Sequence, residues 1–487
     1  MEGLFEDQFI FNDPIGEWDT SNVTTMRSMF RGAIFFNQRL NFVTSNVEDM
    51  AYMFSGATSF NHPLNFDTRK VTDMSYMFHN PREWRDDDDD AIKETAFNQP
   101  LKWDTRNVNN MSFMFAGATS FNQPLDFTDT SKVRDMSHMF SDVISFDQPL
   151  SMEGAEVTAF NQPLHFDTRN VEDMSYMFSG AKSFNQPLRF DTIKVKNMQG
   201  MFNVARSFNR RLELTDTSNV TDMSRLFSGA RSFNQPLNFN TSNVTDMSRM
   251  FQRTSRFNQS LDFHDTSNVI DMKGMFSGAR SFNQPLNFVT SDVEDMSYMF
   301  AGARSFNKPL NFDTRKVEDM SCMFAGAHSF NQPLNFVTSN VAFMREMFHG
   351  ATSFNQRLNF DTRNVRDVIP IEPHRHAWRE HWEHVNERTP IPQDDAFLNE
   401  WFPAGFPGEC TVCFDRPRTV VFTGCHHLAI CEDCYVKTLD RRCPICRKIS
   451  DGMHVMEYRE WMVDYPFRPH MPGGCHADAV SYRPVRT

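Results

Sequence analysis

A valine returns fourteen times along this chain, at Val23, Val47, Val71, Val108, Val133, Val171, Val195, Val220, Val244, Val269, Val293, Val317, Val341 and Val365. Most steps between these valines are 24 or 25 residues, and two are 37 and 38. A fixed period of this length describes units too small to bury their own apolar side chains, so the copies must stack on one another. The two long steps mark insertions. One holds the acidic run Asp86 to Asp90, read as a solvated loop, and the other a partial motif, Phe146 to Leu150, ahead of the full one at Phe160. The period also explains the 50 phenylalanines and 31 methionines among 487 residues, which are spent at the same places in every copy.

One copy runs FNQPLNFVTSDVEDMSYMFAGARS, from Phe282 to Ser305. Val293, Met296, Met299, Phe300 and Ala303 fall on one helical face. Ser291 with Glu294 has the form of a capping box, and Gly302 stands where a left-handed helix end favours glycine. The pattern predicts a helix of about ten residues in each copy. Leu286 and Phe288 alternate with polar neighbours after Pro285, which predicts a short strand. Residues 1–365 are therefore expected to form an α/β solenoid of 24–25-residue units, with fourteen copies spanning roughly 65 to 70 Å at about 4.8 Å each. The methionine and phenylalanine stripe reads as core, and the recurring asparagine (Asn234, Asn283, Asn331) as a ladder whose amides satisfy backbone groups.

The pattern D-T-S-N-V-T-D-M-S-x-M-F-S-G-A-x-S-F-N-Q-P-L, seen at Asp216 to Leu237 with Leu226 in place of the second methionine, resembles the repeats of BspA-type surface proteins. That resemblance implies a leucine-rich-repeat-like solenoid serving contacts with other macromolecules. It names no ligand.

Residues 366–408 leave the period and read as a linker. Trp378, Trp382 and Val385 share one face of His374 to Arg388, which predicts a helix capping the open end of the stack. The four histidines there (His374, His376, His381, His384) read as exposed residues of a polar helix rather than metal ligands.

Further on, eight potential metal ligands crowd together: Cys410, Cys413, Cys425, His427, Cys431, Cys434, Cys443 and Cys446. Seven of the chain's nine cysteines lie here, and Cys322 and Cys475 are scattered. Paired thiolates at C-x2-C spacing present two sulfurs to one ion, and tetrahedral zinc takes four such donors, so eight ligands predict two Zn2+ ions. The opening MEGLFEDQFIFNDP lacks the basic and apolar regions of a signal peptide, and no run of about 18 apolar residues suggests a membrane span. An intracellular, cytoplasmic or nuclear chain is expected, in a reducing compartment where such cysteines favour metal over disulfide. The formal net charge of -13 argues against a nucleic-acid partner.

With histidine fourth among the eight ligands, and the words C-T-V-C, C-H-H-L-A-I-C-E-D-C and C-P-I-C-R around them, residues 409–449 resemble a C3HC4 RING finger. The close spacing is similar to the RINGs of inhibitor-of-apoptosis ligases, which usually carry glycine where His426 stands. The resemblance implies a cross-brace: Cys410, Cys413, Cys431 and Cys434 on one zinc, and Cys425, His427, Cys443 and Cys446 on the other. Both sites would be closed by four protein ligands, which argues against direct metal catalysis. It also implies ubiquitin ligase activity without a covalent step. Val412, Leu439 and Pro444 would dock a ubiquitin-conjugating enzyme, and Arg447 would bridge that enzyme and ubiquitin as the catalytic linchpin. The repeats would recruit a protein substrate. The 41 residues after Cys446 do not match the dimerising tail of that family, so residues 450–487 read as a separate tail. The competing reading is a non-catalytic zinc-binding scaffold that only engages other proteins.

Overall fold

The computed structural model describes residues 1–81, 94–143, 160–263 and 265–366, with the backbone of three further strands at 420–422, 427–430 and 453–455. The chain divides into two compact units, one holding the described repeats and the other those three strands.

The repeats stack in register. Parallel bridges run from Thr25 through Asp49, Asp73, Asn110, Asp135, Asp173, Asn197, Asp222, Asp246, Asp271 and Asp295 to Asp319 and Phe343. Asp73 bridges Asn110 and Asp135 bridges Asp173, so the two insertions break the sequence period without breaking the stack.

The stretch expected to be helical is a run of tight turns, and no helix occurs among the described residues. In the copy at Val293, the N–H groups of Met296, Tyr298, Phe300 and Gly302 donate to Asp319, Ser321, Met323 and Ala325 of the next copy, at 2.6–3.0 Å. The intervening N–H groups of Met299, Ala301 and Ala303 close i to i+3 turns on Met296, Tyr298 and Phe300. Tyr298 and Gly302 have φ of 58° and 67°, the third-position signature of a type II turn and a conformation no α-helix accepts. Gly302 is left-handed as expected, although it belongs to a turn instead of a helix end. The apolar spacing fits either element. Bonding to the neighbouring copy decides it, because a helix this short gains little on its own.

The strand expectation holds in part. β1 (Leu101–Trp103) pairs in parallel with β2 (Leu125–Phe127), and β3 (Leu188–Phe190) with β4 (Leu212–Leu214). The same segment makes only an isolated bridge between Leu237 and Leu261.

The expected stripe is the core: Val293, Met296, Met299, Phe300 and Ala303 are all fully buried. Twenty-six buried phenylalanines form two continuous columns, which Phe5 and Phe11 extend at one end. Within a copy the rings stack closely, as Phe300 on Phe306 at 4.2 Å, and each meets its equivalent in the next copy, Phe324 at 5.6 Å and Phe330 at 5.9 Å. Burying each ring is worth about 1.5–3 kcal/mol, with about 0.5–1.5 kcal/mol more per favourable ring pair. The asparagine ladder is present and unbroken. From Asn12 to Asn331 each side-chain Oδ1 accepts the backbone N–H of the equivalent asparagine in the following copy, as in Asn307 to Asn283 at 3.0 Å and Asn331 to Asn307 at 3.0 Å. A second ladder uses buried threonine: Thr314 Oγ1 donates to the Val337 carbonyl at 2.9 Å and accepts the Val337 N–H at 2.8 Å.

Candidate functional site

In the C-terminal unit, β5 (Val420–Phe422) lies between β6 (His427–Ile430) and β7 (Met453–Val455), antiparallel to both. Phe422 pairs with His427 and Val420 with Ile430, with an irregularity in register between Val420 and Val421. His427 therefore opens a hairpin strand, and in sequence Cys425 falls in the connection 423–426 and Cys431 directly follows the strand. Only the backbone at His427 is described. The proposed ligands Cys410, Cys413, Cys425, Cys431, Cys434, Cys443 and Cys446 lie outside the described residues, as do Val412, Leu439, Pro444, Arg447 and the expected capping helix. The donor set itself fits zinc: seven thiols and one imidazole in close pairs are the soft and borderline ligands this ion takes.

On the repeats, the turn position of Tyr298 is left-handed in every copy that displays it. Over five successive copies it holds rings. Tyr52, Tyr76, Phe113, His138 and Tyr176 stack at 4.4, 4.4, 4.2 and 4.8 Å, with φ of 53–60°. Three residues earlier in each copy stands the bridged column of Asp49, Asp73, Asn110, Asp135 and Asp173, which continues through Asn197, Asp222 and Asp246. Each of these acids accepts the N–H two residues on, as in Asp222 to Ser224 at 2.8 Å. Burial, followed by repulsion from neighbouring carboxylates, raises the pKa of Asp222. Burial is also the largest cause of the raised values at Asp271 and Asp319. Burial, together with the paired phenol of Tyr52, pushes Tyr76 up to about 12.

Sequence reading missed both columns. Aligning the copies would have exposed them, since the signal is a type of residue recurring down one position rather than along the chain. Cys322 occupies the ring column's position, is 1% exposed against Ala301 and Ala325, and is disulfide-bonded. Among the described residues no group of three or more His, Cys, Asp or Glu is arranged to hold a metal, and no helix is long and apolar enough to cross a membrane.

His79 gives a pH prediction. Its ring stands edge-on to Tyr76 at 5.2 Å and to Phe113 at 6.0 Å. Burial first, then the Arg31 charge, lowers its pKa to about 4. The folded state holds the imidazole neutral, so its contribution is present above pH 6.5 and lost as pH falls from there towards 4. At about 1.4 kcal/mol per unit this is on the order of 3 kcal/mol. Thermal melts of wild type and His79→Ser between pH 7 and 4 test it, serine being the residue at the equivalent Ser55. The wild type should lose stability faster, and parallel curves would contradict the assignment.

Comparison with known proteins gives two families. The family described as "Mycoplasma protein of unknown function, DUF285" matches at residues 1–90, 91–153, 154–238, 211–311 and 286–371. "Zinc finger, C3HC4 type (RING finger)" matches at residues 407–453, a span that includes all eight proposed ligands. Over 43 residues the chain is 44% identical to human "Baculoviral IAP repeat-containing protein 3" and 47% identical to a "Putative inhibitor of apoptosis" from Sus scrofa. These stretches are 9% of this chain and span 7% and 12% of those relatives. No solved structure matches. The chain therefore belongs to the DUF285 repeat family and carries a C3HC4-type RING finger after its repeats.

Proposed function

We propose that this protein is a RING-type ubiquitin ligase, in which a BspA-like, leucine-rich-type solenoid recruits a protein substrate and the RING recruits a ubiquitin-loaded conjugating enzyme. The observation that carries the reading is the C3HC4 match over residues 407–453, with Arg447 one residue past the last ligand. Two zinc ions, held by Cys410, Cys413, Cys431 and Cys434 and by Cys425, His427, Cys443 and Cys446, would supply the folding energy that so small a segment cannot gain from apolar burial. Val412, Leu439 and Pro444 would form the apolar seat for the conjugating enzyme. Arg447 would bridge that enzyme and ubiquitin through its planar fork of donors, a task lysine performs poorly. The rate gain would come from proximity and orientation of the thioester towards a substrate lysine. We place this activity inside the cell.

The test is autoubiquitination with a panel of conjugating enzymes. Arg447→Ala should lower the rate tenfold or more, about 1.4 kcal/mol in barrier, with zinc content unchanged. A wild type inactive with every enzyme would favour the non-catalytic scaffold. Equal rates for wild type and variant would remove Arg447 from its role.

A further inference from the structure

One edge of the repeats carries charge that its surroundings do not balance. Two residues before the second buried phenylalanine of successive copies stand Lys182, Arg206 and Arg231. In the next copy this position is Ser255, flanked by Arg253 and Arg256, and the column continues at Arg280 and Arg304. Bonds between copies set these positions directly one above another. The Ser207 N–H donates to the Lys182 carbonyl at 3.0 Å, the Ser232 N–H to the Arg206 carbonyl at 3.2 Å, and Ser255 Oγ to the Arg231 carbonyl at 3.4 Å. Arg206, Arg231, Arg253 and Arg256 are exposed and Lys182 is half-buried. Among the described residues none of these five forms an ion pair. The ten-residue segments that make this edge run over six successive copies, from 179–188 in the first to 301–310 in the last. Together they hold ten arginines and lysines and no aspartate or glutamate, in a chain of net charge -13.

The stack does not need these cations, since Ile34, Thr58, Thr119 and Thr352 fill the same position in other copies. Like charges one copy apart, at roughly 4.8 Å, repel one another. An unpaired run of them confined to one part of the stack is suited to a counter-charge from outside the chain.

We propose that this edge binds an acidic stretch of a partner protein. Guanidinium groups take carboxylates through two parallel N–H···O bonds, which suits a column made mostly of arginine. The three steps from Lys182 to Arg256 span roughly 14 Å, the reach of about four extended residues, so a short run of aspartate or glutamate meets a cation at every copy. Serine, asparagine, glutamine and proline flank the cations. None of the exposed large apolar side chains lies in these segments. The edge therefore offers no ring on which a base could stack and no wedge to enter a bilayer, which favours a polypeptide over a single-stranded nucleic acid or a membrane. The inference rests on the reading of the repeats as the partner-binding part and names the chemistry they select. Its test reads binding alone, so its failure leaves ubiquitin transfer by the RING untouched.

The probe is a fluorescein-labelled peptide of eight glutamates, titrated against the full chain by fluorescence anisotropy. Wild type should bind it, and more weakly as salt is raised. Arg206→Thr combined with Arg231→Thr should weaken binding tenfold or more, threonine being the residue of this column at Thr58 and Thr119. Lys70→Asn combined with Lys132→Asn removes the same two charges from a different column, where Asn46 and Asn107 stand, and should leave affinity within twofold of wild type. No binding by the wild type, or equal weakening by the two pairs of substitutions, would overturn the proposal. A labelled eight-nucleotide thymidine strand bound more tightly than the peptide would overturn it in favour of a nucleic-acid surface. Melting temperatures of the variants within a few degrees of wild type confirm that the comparison is between folded proteins.

Discussion

Replacing Cys443 with serine is expected to reduce ubiquitin transfer to background while leaving the repeats folded. Structural zinc contributes about 10–16 kcal/mol to the folding of modules this small, far more than a segment of this size gains from apolar burial. Losing one thiolate from the proposed four-donor site would remove most of that energy, and the seat proposed for Val412, Leu439 and Pro444 would be lost with it. The repeats draw their stability from bonds between neighbouring copies, as from Phe300 to Met323 at 2.8 Å, and owe nothing to the metal. Assay of transfer alongside a thermal melt of the repeat signal separates the two parts. A Cys443→Ser chain with undiminished transfer would contradict the role given to the ligand set. A concerted loss of both signals would contradict the independence of the stack.

The second large effect is expected at Phe227. Its ring is fully buried, 4.1 Å from Phe233 in its own copy, 5.6 Å from Phe202 before it and 5.7 Å from Phe251 after it. Phe227→Ala removes a large buried side chain and three ring contacts, a cost of about 3–5 kcal/mol. In a stack of nearest-neighbour interfaces the damage falls on the coupling between the copies on either side. Urea unfolding should move to a lower midpoint, and hydrogen exchange should rise first around residues 202–251. Val289→Ala, at a position 47% exposed, is expected to change stability by no more than about 0.5 kcal/mol. Equal midpoints for the two variants would contradict the columnar core.

Much of the repeat region was legible because a stack spends one residue type per column. The valine period, the buried methionines and phenylalanines, and the asparagine ladder each recur at fixed spacing, and each holds in the structure. The helix misled because Val293, Met296, Met299, Phe300 and Ala303 can be gathered on one side by 3.6-residue turns or by successive tight turns. Single-copy spacing cannot tell these apart. What separates them is the destination of alternate N–H groups, which lies one whole copy away. The tyrosine, phenylalanine and histidine ladder was overlooked for the same reason, since its members are 24 to 38 residues apart. The RING finger was legible for the opposite reason: the cysteines and histidine of its C3HC4 pattern lie close together in sequence, and their order alone carries the match.

Native mass spectrometry of the full 56.7 kDa chain tests the account most directly. Two bound zinc ions per chain, both released by chelation together with the ability to discharge a ubiquitin-loaded conjugating enzyme, are the predicted result. A bare polypeptide mass from a preparation that still transfers ubiquitin would contradict it.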